Sequence, residues 1–219
     1  MKIKRHDFIE LDYVGRIKST NQIFDLTIKE IADKEHIHSN NIKYSPIIIC
    51  VGENNIISGI DEFLLDKEPG DYKIEVRPEK AFGNKDSKLI RVIPIRIFFE
   101  KQINPVPGLQ INIDNLIGTV RSVSGGRTIV DFNHPLAGRN LIYEVKIIRI
   151  ITDKEEKLKA LSKLYFNSDA KLESSKAIIK AEISKEMQEE AIKKLKELIP
   201  DIKEVIFEKQ NNKDKTNDK

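Results

Sequence analysis

The sequence predicts an α+β protein built mainly from antiparallel strands, and three observations carry that expectation. Residues 7–17, DFIELDYVGRI, put Ile9, Leu11 and Tyr13 on one face and Glu10 and Asp12 on the other, the period of a half-buried strand. The same alternation returns after Pro69-Gly70, where Tyr72, Ile74 and Val76 interleave with Lys73, Glu75 and Arg77, and again at 141–150, LIYEVKIIRI. Between the first two of these runs lies one short apolar helix, in which Ile60, Phe63, Leu64 and Leu65 share a side. Gly59 lets backbone approach backbone just before it, and Pro69-Gly70 forces a turn after it.

Composition narrows the function classes. The chain has 219 residues, 39% hydrophobic and 33% charged, as expected for a globular protein with a charged surface. Its 38 basic and 35 acidic residues nearly cancel to +3, which gives no footprint for nucleic acid. Cys50 stands alone in the run IIICV, so a disulfide framework and a thiol metal cluster are excluded and a buried structural thiol is expected. The start, MKIKRHDFIELD, lacks an apolar stretch and no run reaches spanning length; the expectation is a cytoplasmic chain without a membrane partner. His36 and His38 stand at i, i+2 and do not share a helix face, so no metal site is expected there.

Residues 51–83, VGENNIISGIDEFLLDKEPGDYKIEVRPEKAFG, carry the most specific signal. They combine G-x-x-x-I-I-x-G-I, a Pro-Gly-Asp turn and Ala-Phe-Gly in this order, and in this they resemble FKBP-type peptidyl-prolyl cis-trans isomerases. The flanks extend the resemblance. Tyr13 matches the aromatic of the first strand, IFDLT at 23–27 is similar to the family's Phe-Asp motif, and Tyr143 matches the final pocket aromatic. Asp25 alone would read as the cap of the helical stretch TIKEIADKEH; the register of the other motifs assigns it to the pocket. The resemblance implies an antiparallel half-barrel around the short helix. It implies a prolyl pocket of Tyr13, Phe24, Asp25, Ile47, Ile56, Ile57, Ile60, Phe82 and Tyr143. Ile57 would act through its N–H on the carbonyl that precedes proline. Ile60 replaces a common Trp and Phe82 a common Tyr, so the floor is smaller and one phenol is missing. Each isoleucine taken singly reads equally well as core.

The last strand of this pattern arrives only at 141. The intervening stretch shows strands of its own at 89–93, 109–113, 117–123 and 128–132, a short helix around 95–100, and a Gly125-Gly126 hairpin turn. It resembles the insert-in-flap domain of SlyD-like isomerases, with NHPLAG at 133–138 close to their exit motif. That resemblance implies a client-binding surface, with Ile93, Ile95, Phe98, Phe99, Val106 and Leu109 as its candidates, shared with the module's own core. His134 reads as a turn or strand-end residue.

Residues 152–209 follow both modules. Thr152-x-x-Glu155 reads as a capping box before a helix with Leu158, Leu161 and Tyr165 on one side. Ala177 to Ile183 alternate as a strand, and Ser184 caps a second helix that turns Met187, Ala191, Ile192, Leu195, Leu198 and Ile199 inward and stops at Pro200. A final strand at 203–209 completes an α-β-α-β unit. The expected organisation is an isomerase domain at 1–86 and 132–151, an insert at 87–131, this C-terminal unit, and a disordered end at 210–219, and in this it resembles long-type archaeal members of the family. The unit is small enough to favour a homodimer along its sheet edge or helix face.

The implied activity needs no cofactor, metal or nucleophile. Xaa-Pro bonds cross a barrier of roughly 20 kcal/mol in about 10–100 s, slow enough to limit folding. The implied partners are unfolded or partly folded proteins with prolyl bonds. Two other readings stay open on sequence: a holdase chaperone with a vestigial pocket, and an assembly scaffold that binds one folded partner. The His- and Cys-rich metal tail of many SlyD proteins has no counterpart here, as 210–219 contains neither residue.

Overall fold

The computed structural model describes residues 1–113 and 115–209; the polar end expected to be disordered, 210–219, lies outside the described residues. The first part of the chain forms β1 (Phe8–Ile17), β2 (Ile23–Leu26), α1 (Lys29–Lys34), β3 (Ile47–Cys50), α2 (Ser58–Leu64) and β4 (Gly70–Val76). The middle adds β5 (Ile90–Pro94), α3 (Ile95–Glu100), β6 (Gln110–Ile113), β7 (Leu116–Ser124), β8 (Arg127–Asp131) and β9 (Leu141–Ile151). The end supplies α4 (Lys154–Phe166), β10 (Ala170–Glu173), β11 (Lys176–Ile179), α5 (Lys185–Leu198) and β12 (Glu204–Phe207).

The main sheet is the antiparallel half-barrel of an α+β protein. β9 runs along all of β1 on one edge and carries β4 on the other. The second edge of β1 is divided, with Phe8–Leu11 pairing β3 and Val14–Arg16 pairing β2. Strand alternation then decides the core. Ile9, Leu11 and Ile17 of β1, Ile74 and Val76 of β4, and Leu141, Tyr143, Val145 and Ile147 of β9 point to one side. Helix α2 fills that side with Ile60 and Leu64, both wholly buried. Gly59 is required where α2 meets β4: a Cβ there would lie 2.5 Å from Val76 Cγ1 and 3.1 Å from the Lys80 carbonyl.

Strands β5 to β8 make a separate four-stranded sheet in the order β5-β8-β7-β6, with α3 on one face. Its core is Phe98, Ile111, Val120, Val130 and Phe132. Gly125 and Gly126 both have positive φ, 55° and 73°, as the two central residues of a tight hairpin require.

The C-terminal unit departs from the expected α-β-α-β order. An additional strand, β10, pairs β11 as a hairpin, and β12 returns parallel to β11 after the α5 crossover. The expected strand over 177–183 is shorter, ending at Ile179. Asp153, not Thr152, caps α4, accepting the Glu156 N–H at 2.8 Å. Ser184 caps α5 as expected. Tyr165 and Met187, expected inward, are exposed, because the apolar stripe of each helix turns off the core near those positions.

The core of this unit is continuous with the outer side of the main sheet. Leu158, Leu161, Ala177, Ile179, Leu195 and Leu198 close on Phe8, Cys50 and Ile151 of the main sheet, with Ile48 packed against them. Ion pairs ring the junction: Lys194 to Glu53 at 2.7 Å, and Arg149 to Glu10 at 2.6 Å and to Glu156. Cys50 sits inside this junction, and burial, followed by the nearby Glu53 charge, pushes its thiol up to about 12. At pH 8 the native thiol is therefore expected to react with an aromatic disulfide reagent about a thousandfold more slowly than a free cysteine, and at the ordinary rate in guanidinium. Fast labelling of the native protein would show that the junction opens.

Among the described residues no helix is long and apolar enough to cross a membrane.

Candidate active site

The mouth of the half-barrel gathers four aromatic side chains from four segments. Tyr13 of β1 and Tyr143 of β9 lie with ring centroids 5.8 Å apart. Phe24 of β2 meets Tyr143 edge-on at 5.7 Å and Phe82 at 6.3 Å, arrangements favoured by the ring quadrupoles. Phe82 follows the 3₁₀ turn Pro78–Lys80, where Gly83, at φ 75°, donates back to the Pro78 carbonyl at 2.8 Å. Gly15 makes the crowding possible. It pairs with Tyr143 on one side and Asp25 on the other, and a Cβ there would lie 2.7 Å from Phe24 Cζ.

Asp25 is not a helix cap. The residue before α1 is Ile28, with no side-chain cap, and Asp25 Oδ2 instead accepts the Tyr13 hydroxyl at 2.7 Å. Burial, the Asp25 hydrogen bond and its charge all push the Tyr13 phenol well above its ordinary value, so it stays a donor. Burial does the same to Tyr143, with the Asp25 charge second. Thr27 braces this corner: its hydroxyl donates to Asp12 at 2.6 Å and accepts the Tyr13 N–H at 2.9 Å.

The aliphatic candidates complete one wall. Ile47, Ile56 and Ile57 are half-buried against the same core as Tyr13, Phe24 and Phe82. Ile60 is wholly buried, so it backs the wall without reaching its surface. Ile57 is the N-cap of α2, its carbonyl accepting from Ile60 and Asp61. Its own N–H has no hydrogen-bond partner among the described residues, and neither has the Tyr143 hydroxyl.

Three contributors lie outside the sequence-derived set. Asp61 is buried on α2 and accepts the Gly52 N–H at 2.8 Å and the Asn54 N–H at 2.9 Å, holding the loop that leads to Ile56 and Ile57. His134, expected as a turn residue, stacks flat on Phe82, with centroids 4.4 Å apart and planes 3° apart. Gly15 is the third, and its signal was visible: a glycine inside a strand pattern marks a close approach.

His134 also ends the return from the second sheet, where the two chain crossings are fastened together. Asp131 accepts Lys85 at 2.8 Å, Arg121 at 2.9 Å and the Asn133 N–H at 2.9 Å. Burial pushes its carboxyl up, but those donors outweigh it and hold it well below the usual carboxylate range. Asn133 and Asp86 bond reciprocally at 2.8 and 3.0 Å, and Gly138 donates to Gly83 at 2.8 Å.

Comparison with known proteins decides the family. The model of the FKBP-type peptidyl-prolyl cis-trans isomerase family matches residues 1–95, and the one described as FKBP26, IF domain, matches 91–136. A protein of Methanocaldococcus jannaschii named short-type peptidyl-prolyl cis-trans isomerase is 30% identical over 146 residues, covering 66% of this chain and 92% of its own. The chain belongs to the FKBP-type peptidyl-prolyl cis-trans isomerase family. It is an isomerase of the SlyD-like kind. The SlyD of Helicobacter pylori is 27% identical over 143 residues, covering 63% of this chain and 76% of its own. The FKBP-type 16 kDa isomerase of Escherichia coli K12 is 24% identical over 132 residues, 58% of this chain and 87% of its own.

The candidate client residues of this FKBP-type chain divide by face. Phe98 is buried in the second sheet's core, which corrects its placement as a binding residue: its helix turns it inward and its neighbour outward. Ile93 and Leu109 pack against that core and Ile95 is half-buried. Phe99, at 57% exposure, and Val106, at 49%, remain open to solvent.

Proposed function

We propose that this isomerase rotates Xaa-Pro bonds at the mouth formed by Tyr13, Phe24, Asp25, Phe82 and Tyr143, walled by Ile47, Ile56, Ile57 and Ile60. The observation that carries the reading is the aromatic cluster with an unengaged Ile57 N–H beside it. In the rotation transition state amide resonance is lost and the group is less polar than the planar ground state. An aromatic and aliphatic wall favours that twisted form over the planar one, and such differential binding is catalysis. The Ile57 N–H holds the carbonyl before proline, so the rotation turns about a fixed end. No proton has to move. Asp25 therefore acts as an orienter, keeping the Tyr13 ring against the wall through their hydrogen bond.

The second part of the proposal is that the four-stranded insert captures non-native clients and presents them to the mouth. The exposed Phe99 and Val106 support it, as does the fastening of the insert through Asp131, Lys85 and Asn133 beside Phe82. Capture raises the local concentration of prolyl segments without any new chemistry.

Asp25→Ala is expected to lower turnover of an Xaa-Pro peptide by about tenfold, with the circular dichroism spectrum and melting midpoint little changed. Wild-type turnover in this variant, measured by NMR exchange, would refute the assigned role of Asp25.

A further inference from the structure

The insert's sheet has a second face, away from α3, that none of the candidate client residues occupies. Register defines it: Ile90 lies opposite Asp131 and Thr119, Val92 opposite Ile129 and Ser122, and Pro94 opposite Arg127 and Ser124. Ile90, Val92 and Ile129 thus form a contiguous apolar centre, and all three are exposed, Val92 at 60%. Cations bound it on two sides. Arg127 stands beside Ile129 with no ion-pair partner among the described residues. At the other end Lys85 and Arg121 share the single carboxylate of Asp131, and their side chains are 42% and 45% exposed. The stretch 87–131 has six Lys and Arg against three Asp and Glu, so the bias belongs to the insert as a whole.

We infer that this outer face docks extended non-native segments whose apolar residues are flanked by Asp or Glu. An apolar centre supplies affinity by burial, and the two cationic ends select charge through the field they set up across the face. Basic flanks are repelled at both ends, so selection includes a repulsive element. The inference rests on the reading that the insert captures clients, and it adds which face does so and which sequences it takes.

Fluorescein-labelled, proline-free peptides with one common apolar core and either Glu pairs or Lys pairs at both ends test it by anisotropy titration of the full chain. The Glu-flanked peptide is expected to bind about tenfold more tightly at low salt, the gap narrowing to about twofold at high salt as the charges are screened. Val92→Asp is expected to weaken the Glu-flanked peptide about tenfold, and Arg127→Glu to remove the preference; both positions are exposed and the fold is checked by circular dichroism. Equal or tighter binding of the Lys-flanked peptide overturns the inference. So does a harmless Val92→Asp change accompanied by loss of binding in Phe99→Asp, which leaves client capture standing on the helix side. If Val92→Asp instead converts a dimer to a monomer and leaves binding intact, the face belongs to a second copy and the inference fails. Binding of neither peptide, or binding that no insert substitution alters, removes client capture as well.

Discussion

Gly15→Ala is expected to lower turnover of an Xaa-Pro peptide by roughly 10- to 100-fold while the fold persists. The new methyl would sit 2.7 Å from Phe24 Cζ and 3.1 Å from both Phe24 Cε2 and Tyr143 Cε1. Phe24 is the partner that yields, because the contact is with the tip of its ring and β2 is a four-residue edge strand. Swinging that ring away breaks its edge contacts with Tyr143 and Phe82 and opens the wall to which we assign binding of the twisted amide. Tyr143 cannot follow, since β9 is held between β1 and β4. The useful readout is the split between activity and stability: a melting midpoint within a few degrees of wild type beside a large loss of turnover. Full activity in Gly15→Ala would mean that Phe24 takes no part in the wall.

Asp61→Ala is expected to destabilise the isomerase domain through two lost hydrogen bonds. It removes the acceptor of two backbone donors, the N–H of the half-buried Gly52 and that of Asn54, which lies at the surface. An unsatisfied buried donor costs about 1–3 kcal/mol, and with water able to reach Asn54 the loss is about 1–3 kcal/mol, set mainly by Gly52. In a chain of this size that lowers the melting midpoint by roughly 2–12 °C. Asp61→Asn keeps one acceptor oxygen and is expected to lose about half as much. Turnover falls too, because the loop these bonds hold runs straight into Ile56 and Ile57. A melting curve unchanged in the alanine variant would show that water satisfies both groups.

The sequence exposed the half-barrel because its strands carry strict alternation: Ile9, Leu11 and Tyr13 share a face in the structure as in the pattern. The clustering of Tyr13, Phe24, Phe82 and Tyr143 was legible for a different reason, because all four belong to ordered motifs whose spacing survives the insertion. What stayed hidden depends on where segments meet. Asp61 looks like a solvent-facing helix residue until the loop at 52–54 folds over it. Phe98 and Phe99 are chemically equal neighbours, and only the docking of a one-and-a-half-turn helix decides which is buried. Strand β10 was missed because Lys171, Leu172 and Glu173 offer a single apolar side chain to alternate. His134 is one ring in a polar turn, and its stack on Phe82 arises from two chain crossings brought together by Gly83 and Gly138.

The shared core beneath the C-terminal unit limits how this enzyme can be trimmed. The insert interrupts the chain yet closes on side chains of its own, whereas the terminal unit simply follows β9 and still borrows Phe8, Cys50 and Ile151 from it. Cutting the chain after Ile151 would strip the cover from those three residues and from Ile48, leaving an adhesive patch at the foot of the main sheet. A minimal catalytic version therefore needs resurfacing at these positions as well as a stop codon. Independence in this molecule follows who supplies the buried side chains, and order along the chain is a poor guide to it.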